Sequence, residues 1–164
     1  MNLALSVYHA AVLGALAILF LTLLSNLVAI RRLEPGTPPE HFPFVSILVP
    51  ARNEERGLRP CLESLLKQQY PEFEVLVCDD GSEDATAEIL AEMARGNEGL
   101  KSFRSLDLPP GWLGKCFACH ALAEKARGEL LLFTDADTVH HPGALASAVA
   151  ELQTRRRPAA EPNP

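Results

Sequence analysis

The chain has 164 residues, enough for one domain with a real core but not for two. Its formal net charge of −6 falls on the residues after Glu40, because Arg31, Arg32, Glu34 and Glu40 cancel. A domain of that sign lacks the clustered Lys and Arg that neutralise a phosphate backbone, so nucleic acid is not an expected partner. A phosphorylated ligand stays open if a divalent metal supplies the positive charge.

Residues 3–30 carry no charged side chain. At a helical rise they span a bilayer core of roughly 30 Å with some tilt to spare. Arg31 and Arg32 follow at once, and no Lys or Arg precedes the stretch. The positive-inside rule then predicts a single-pass anchor over 1–32 in the cell (inner) membrane, with the following domain in the cytoplasm. A cleaved signal peptide is the competing reading. It is disfavoured by the absent basic leader, the length of the apolar run and the lack of a small-x-small cleavage site. Residues 33–43 are Pro-rich and read as a stiff linker.

From 44 to 155 apolar runs alternate with amphipathic ones. Val45-Ser-Ile-Leu-Val49 reads as a buried strand, 54–69 as a helix with Leu58, Cys61, Leu62, Leu65 and Leu66 on one face, and Glu74-Val-Leu-Val-Cys78 as a second buried strand. A helix over 83–95, a weaker strand over 101–106 and a helix over 114–127 come next. Leu130-Leu-Leu-Phe133 is expected to be another buried strand, and His141-Pro142 to open a last helix with Leu145, Val149 and Leu152 inward. Residues 156–164 read as a disordered tail. This alternation predicts an α/β fold, a Rossmann-like, mostly parallel sheet covered on both faces, behind one N-terminal transmembrane helix. Cys61 and Cys78 fall in apolar runs and read as small core residues, and four cysteines in a chain this long do not make a disulfide framework.

In a parallel sheet, ligands bind beyond the carboxyl ends of the strands. The polar clusters fall there: Pro50-Ala-Arg-Asn-Glu-Glu55, Asp79-Asp80 and Asp135-Ala-Asp137. Up to six carboxylates would then share one edge, and crowded carboxylates call for a cation. Paired hard-oxygen donors suit Mg²⁺ or Mn²⁺, which fill their remaining positions with phosphate oxygens. Such a metal would neutralise charge developing on a departing diphosphate. Each cluster also has a plainer reading. Asp135 and Asp137 can be a solvated turn, Gly81 and Ser82 can supply a turn and a helix cap, and Glu54 and Glu55 can favour a helix N-terminus through its dipole. Arg52 suits a phosphate contact or a carboxylate pair.

Three segments in this order and spacing resemble the family-2 glycosyltransferases of GT-A fold: Val45-Ser-Ile-Leu-Val-Pro-Ala-Arg-Asn-Glu54, Val75-Leu-Val-Cys-Asp-Asp-Gly-Ser82 with Asp84 and Thr86, and Gly128-Glu-Leu-Leu-Leu-Phe-Thr-Asp-Ala-Asp137. Pro110-Gly-Trp-Leu-Gly-Lys115 looks like the membrane-anchored members that act on lipids, carotenoids or hopanoid-type acceptors. The resemblance implies inverting, metal-dependent transfer from a nucleotide-diphosphate sugar to an acceptor, here of lipid type. By position it implies that Pro50, Arg52 and Glu54 line the nucleotide pocket and that Asp80, with Asp79 beside it, contacts the base. Asp135 and Asp137 would bind ribose and metal–diphosphate, Asp137 as the foremost metal ligand, and Lys115 would lie near the diphosphate. In the family the acidic general base lies well beyond the Asp-x-Asp motif. This sequence reaches Pro164 before it, so the expectation is donor binding without efficient transfer by these residues alone.

Two rival readings belong to other classes. Cys116-Phe-Ala-Cys119-His120 has the spacing of a c-type haem attachment site. The expected cytoplasmic topology and an amphipathic helical setting oppose it, and zinc at the same residues lacks a convincing fourth ligand nearby, with His140 and His141 the remaining candidates. The other rival is a non-catalytic membrane scaffold, a truncated paralogue that pairs through an unfinished sheet edge.

Overall fold

A computed structural model describes residues 2–29, 38–105 and 108–156. The chain divides into two compact units, Met1–Leu33 and Glu34–Pro164.

The first unit is one helix, α1 (Leu3–Ala29), long and apolar enough to cross a membrane, with a mean hydropathy of 2.3. Two of its polar side chains bond back onto the helix. Thr22 Oγ1 donates to the Ile18 carbonyl at 2.8 Å, and His9 Nδ1 lies 2.7 Å from the Leu5 carbonyl oxygen. Each contact spans one helical turn, so neither group needs water or a neighbour.

The second unit is an α/β domain. Its elements are β1 (Val45–Ala51), α2 (Leu58–Leu66), β2 (Phe73–Asp79), α3 (Thr86–Arg95), β3 (Leu100–Arg104), α4 (Gly114–Lys125), β4 (Leu130–Phe133) and α5 (Ala144–Arg156). The four strands are parallel in the order β3-β2-β1-β4. Strand β1 is central, and its Val45, Ile47, Leu48 and Val49 are buried because helices cover both of its faces. One face packs on Leu58, Leu62 and Leu65 of α2, Leu90 and Met93 of α3, and Leu145 and Val149 of α5. The other packs Leu48, Leu76 and Cys78 against Ala118 and Leu122 of α4.

Strand β4 departs from the expectation of full burial. Leu131 and Phe133 are 45% and 46% exposed. The strand is at the sheet edge, and α4 lies over β1 and β2 rather than over it. An apolar run therefore did not distinguish a strand buried on both faces from one buried on a single face.

At the amino end of the sheet a buried carboxylate joins three segments. Glu74 accepts from Ser46 Oγ at 2.8 Å and from Arg127 Nε and Nη2 at 3.0 and 2.8 Å. The Arg127 and Gly128 amides complete the knot on Glu74 Oε1 and Ser46 Oγ. Gly128 runs so close to Ser46 that a Cβ would overlap its backbone. Together these contacts fix where α4 ends and β4 begins.

Residues 38–43 of the expected linker lie against the domain. The Tyr70 hydroxyl donates to the Pro43 carbonyl at 2.7 Å, and the Gln153 amide bonds both Glu40 N and the His41 carbonyl. Residues 33–37, like 157–164 of the expected tail, lie outside the described residues.

Candidate functional site

Because β1, β2 and β4 run parallel, their carboxyl ends open on the same edge. Ala51 pairs with Asp79 and Leu48 with Phe133, so the residues that follow emerge side by side. They border a cleft of about 360 Å³ lined by Pro50, Ala51, Arg52 and Glu54 after β1, Asp80 after β2, Gly114, Lys115 and Ala118 of α4, and Asp135, Ala136 and Asp137 after β4.

The β1 arm is held by the β2 arm. Asn53 sits in the left-handed region at φ 57, which Asn tolerates better than most residues. Its amide donates to Ser82 Oγ at 3.0 Å, and its Oδ1 accepts from the Glu83 amide at 2.9 Å. The Glu54 amide donates to Thr86 Oγ1 at 2.8 Å and the Glu55 amide to Asp84 Oδ2 at 3.1 Å. Glu55 in turn accepts from the Ala85 amide.

This lattice corrects three expectations. Helix α2 starts at Leu58 rather than at 54, because the amides of 53–55 bond across to the other loop. Glu54 and Glu55 therefore lie in the turn that leads into α2, where the Leu58 amide bonds the Glu54 carbonyl at 2.9 Å, rather than in its first turn. Helix α3 starts at Thr86 with no side-chain cap, since Ser82 Oγ is engaged by Asn53. Asp84 supplies the local bond instead, accepting from the Thr86 amide at 3.0 Å.

Asp79 and Asp80 face different surroundings. Asp79 is 4% exposed and accepts from the Ser82 amide at 2.9 Å, closing a turn in which Gly81 has φ 71. It is not among the cleft-lining residues. Asp80 lines the cleft, with Arg52 Nη1 3.8 Å from its Oδ2. The first residue of α4, Gly114, abuts it, and a Cβ there would come within 2.5 Å of Asp80 Oδ2. A helix N-terminus beside a carboxylate is a favourable arrangement, because unpaired amides carry partial positive charge.

The β4 arm is braced from beneath. Ala136 is buried, and the Asp135 carbonyl receives the Cys61 thiol at 3.5 Å. Burial pushes that thiol up to about 11, so it stays protonated and donates. Lys115 Nζ reaches Asp135 Oδ1 at 2.6 Å. Behind the turn, His140 Nε2 lies 2.9 Å from Thr134 Oγ1, and its amide donates to Ser64 Oγ. Burial lowers the His140 pKa, which keeps the ring neutral at pH 7.

The cleft thus holds four carboxylates (Glu54, Asp80, Asp135 and Asp137) against two cationic side chains, Arg52 and Lys115. An anionic ligand entering it needs an added cation to offset that excess. Asp135 and Asp137 are exposed hard-oxygen donors. Among the described residues no three His, Cys, Asp or Glu side chains form a closed metal cage. The donor set therefore fits a cation such as Mg²⁺ or Mn²⁺ whose other positions come from phosphate oxygens and water.

The chain matches the family model described as glycosyl transferase family 2 over residues 46–159. This chain belongs to that family. A 4,4'-diaponeurosporenoate glycosyltransferase of Staphylococcus haemolyticus is 41% identical over 95 residues, which cover 57% of this chain and 24% of that protein. A beta-monoglucosyldiacylglycerol synthase of Trichormus variabilis is 39% identical over 97 residues, 58% of this chain and 20% of that protein. Among solved structures, the mannosyltransferase PcManGT of Pyrobaculum calidifontis, in complex with GDP-Man and Mn²⁺, superposes with a TM-score of 0.66 at 26% identity. That match covers 88% of this chain and 41% of the mannosyltransferase. The family-2 domain here thus corresponds to a fraction of its relatives' length.

Of the site residues expected from sequence, Pro50, Arg52, Glu54, Asp80, Lys115, Asp135 and Asp137 meet at one cleft, and Asp79 is not among its lining residues but closes the turn to Ser82. Gly57 and Gly114 were not singled out. A Cβ at Gly57 would lie 2.9 Å from Asp137 Cα. A Gly at a helix start was the available signal, but only the packing shows what it abuts. Cys116 and His120 are exposed on α4, and with Cys119 they form no metal-holding group.

Proposed function

We propose that the domain binds the nucleotide-diphosphate sugar donor of a membrane-anchored family-2 glycosyltransferase, whose acceptor is a lipid or isoprenoid. The observation that carries this reading is the meeting of Asp80, Asp135 and Asp137, from two different strand ends, with Lys115 and Arg52 in one cleft.

Asp80 would accept hydrogen bonds from the base or ribose, held in place by Gly114 and Arg52. Asp135 and Asp137 would hold Mg²⁺ or Mn²⁺, which neutralises charge developing on the diphosphate as the sugar departs. Lys115, already paired with Asp135, would add a second positive charge at the same group. Pro50 and Glu54 would border the nucleoside. Transfer also needs a general base for the acceptor hydroxyl, typically worth about 10²–10⁴-fold. No described residue is assigned that role. The lipid acceptor is supported by the helix α1 and by relatives whose names specify diaponeurosporenoate and a diacylglycerol product. In this reading α1 is a single-pass inner-membrane anchor, 33–43 joins it to the domain, and the domain faces the cytoplasm.

Calorimetric titration of the detergent-solubilised chain with UDP- and GDP-sugars, with and without Mn²⁺, tests the proposal. Saturable, Mn²⁺-dependent binding that Asp137→Asn abolishes is the expected result. Binding to neither nucleotide class, or binding indifferent to Asp137→Asn, would overturn it.

A further inference from the structure

The turn before α4 is apolar and exposed, and it adjoins the cleft. Leu108, Trp112 and Leu113 are 50%, 42% and 73% exposed, and residues 108–114 include no charge. Gly111, at φ 87, lets the chain reverse, and the Trp112 amide closes the turn on the Pro109 carbonyl at 3.2 Å. The indole is held in place. It stacks on His120 with centroids 5.1 Å apart and 26° between planes, and meets Phe117 edge-on at 5.6 Å. The next two residues, Gly114 and Lys115, line the cleft.

We infer that this turn seats in the headgroup layer of a lipid bilayer, bringing the cleft beside it to the membrane surface where a lipid acceptor is presented. The inference rests on the membrane-anchored, lipid-acceptor reading above. Two arguments favour lipid over a protein partner. An indole flanked by aliphatic tips, in a run whose nearest charges in sequence are Asp107 and Lys115 at its two ends, is the chemistry that settles at a membrane interface. A stable protein interface engages about 20–30 residues a side, and this turn offers three apolar tips. Three tips suffice when the domain is tethered to a bilayer-spanning segment on its own chain, because the second contact is then intramolecular.

Trp112 is the sole tryptophan of the chain, so indole emission reports this turn alone. The full chain is reconstituted into phosphatidylcholine vesicles with brominated or ordinary acyl chains. Brominated lipid should quench Trp112 emission relative to ordinary lipid, as for an indole seated at the headgroup boundary. The double variant Leu108→Ser, Leu113→Ser should lose most of that quenching and keep the wild-type donor titration, since neither leucine lines the cleft. Unquenched wild-type emission, as when a protein segment covers the turn, would overturn the inference whether or not the variant folds. Equal quenching in the variant would also overturn it. Donor titration on the same vesicles reads the proposed function separately, so either idea can fail while the other stands.

Discussion

Lys115 and Asp135 join α4 to the turn after β4 through a 2.6 Å ion pair, with both side chains more than half exposed. The hydrogen bond to Asp135, and then its charge, raise the Lys115 pKa, so the ammonium persists across the neutral range. Lys115→Ala should leave the melting midpoint unchanged, because exposed pairs add little to stability. It should weaken nucleotide-sugar binding roughly ten- to hundredfold, the size of one charge-assisted hydrogen bond. Titration of the variant at saturating Mn²⁺ measures this, and an unchanged affinity would remove Lys115 from the site.

Gly57 leaves no room for a side chain beside the backbone of Asp137. Gly57→Ala would place a methyl 2.9 Å from Asp137 Cα, and backbone yields less readily than a side-chain tip. Overpacking of this kind costs about 1–3 kcal/mol and should shift the Asp-x-Asp turn, weakening Mn²⁺-dependent binding. Gly96→Ala is the control, since a Cβ there would meet nothing closer than the Met93 carbonyl at 3.9 Å. Comparable losses in the two variants would show that the Gly57 contact has no special weight.

Asn53 combines a left-handed backbone with a side-chain bond to the Glu83 amide. Asn53→Gly and Asn53→Ala both remove the bond, but only glycine keeps the left-handed backbone unstrained. Alanine in this region costs about 1–2 kcal/mol, so the alanine variant should be less stable than the glycine one by about 1 kcal/mol. Urea denaturation of the pair reads the difference, and equal midpoints would mean the loop relaxes.

Glu74 makes stability depend on acid. Burial raises its pKa, but bonds from Arg127 and Ser46 outweigh this and hold it below the ordinary 4.5. A carboxylate depressed in the folded state stabilises above its unfolded pKa, and that contribution is lost as pH falls through the folded value. The wild type should therefore lose stability progressively below about pH 4.5. Glu74→Gln should be less stable at pH 7, by about 1–3 kcal/mol, with a flatter acid limb. Thermal melts from pH 7 down to pH 3 separate the two, and parallel pH profiles would count against this role.

Much of the site was legible because its residues follow strands directly. Val45-Ser-Ile-Leu-Val49, Glu74-Val-Leu-Val-Cys78 and Leu130-Leu-Leu-Phe133 announce themselves by apolar continuity, and a parallel sheet sends their ends to one edge. What could not be read were the partners. Ser82 looked like a cap for α3 and instead holds Asn53, 29 residues earlier. Asp79 and Asp80 are adjacent in sequence, yet the first closes a turn and the second borders the cleft. Periodicity reports which face a residue is on, and it does not report which distant donor will reach it.

The sequence by itself determined the apolar N-terminal helix, the α/β alternation and the placement of acidic motifs at strand ends, because each depends on local period and local chemistry. The tertiary structure decided the rest. It set four carboxylates against Arg52 and Lys115, drew the start of α2 back to Leu58, put Gly57 and Gly114 against Asp137 and Asp80, and left one face of β4 uncovered. Those outcomes follow from close packing and from hydrogen bonds between segments far apart in the chain, and such pairings exist only once the sheet has brought the loops together.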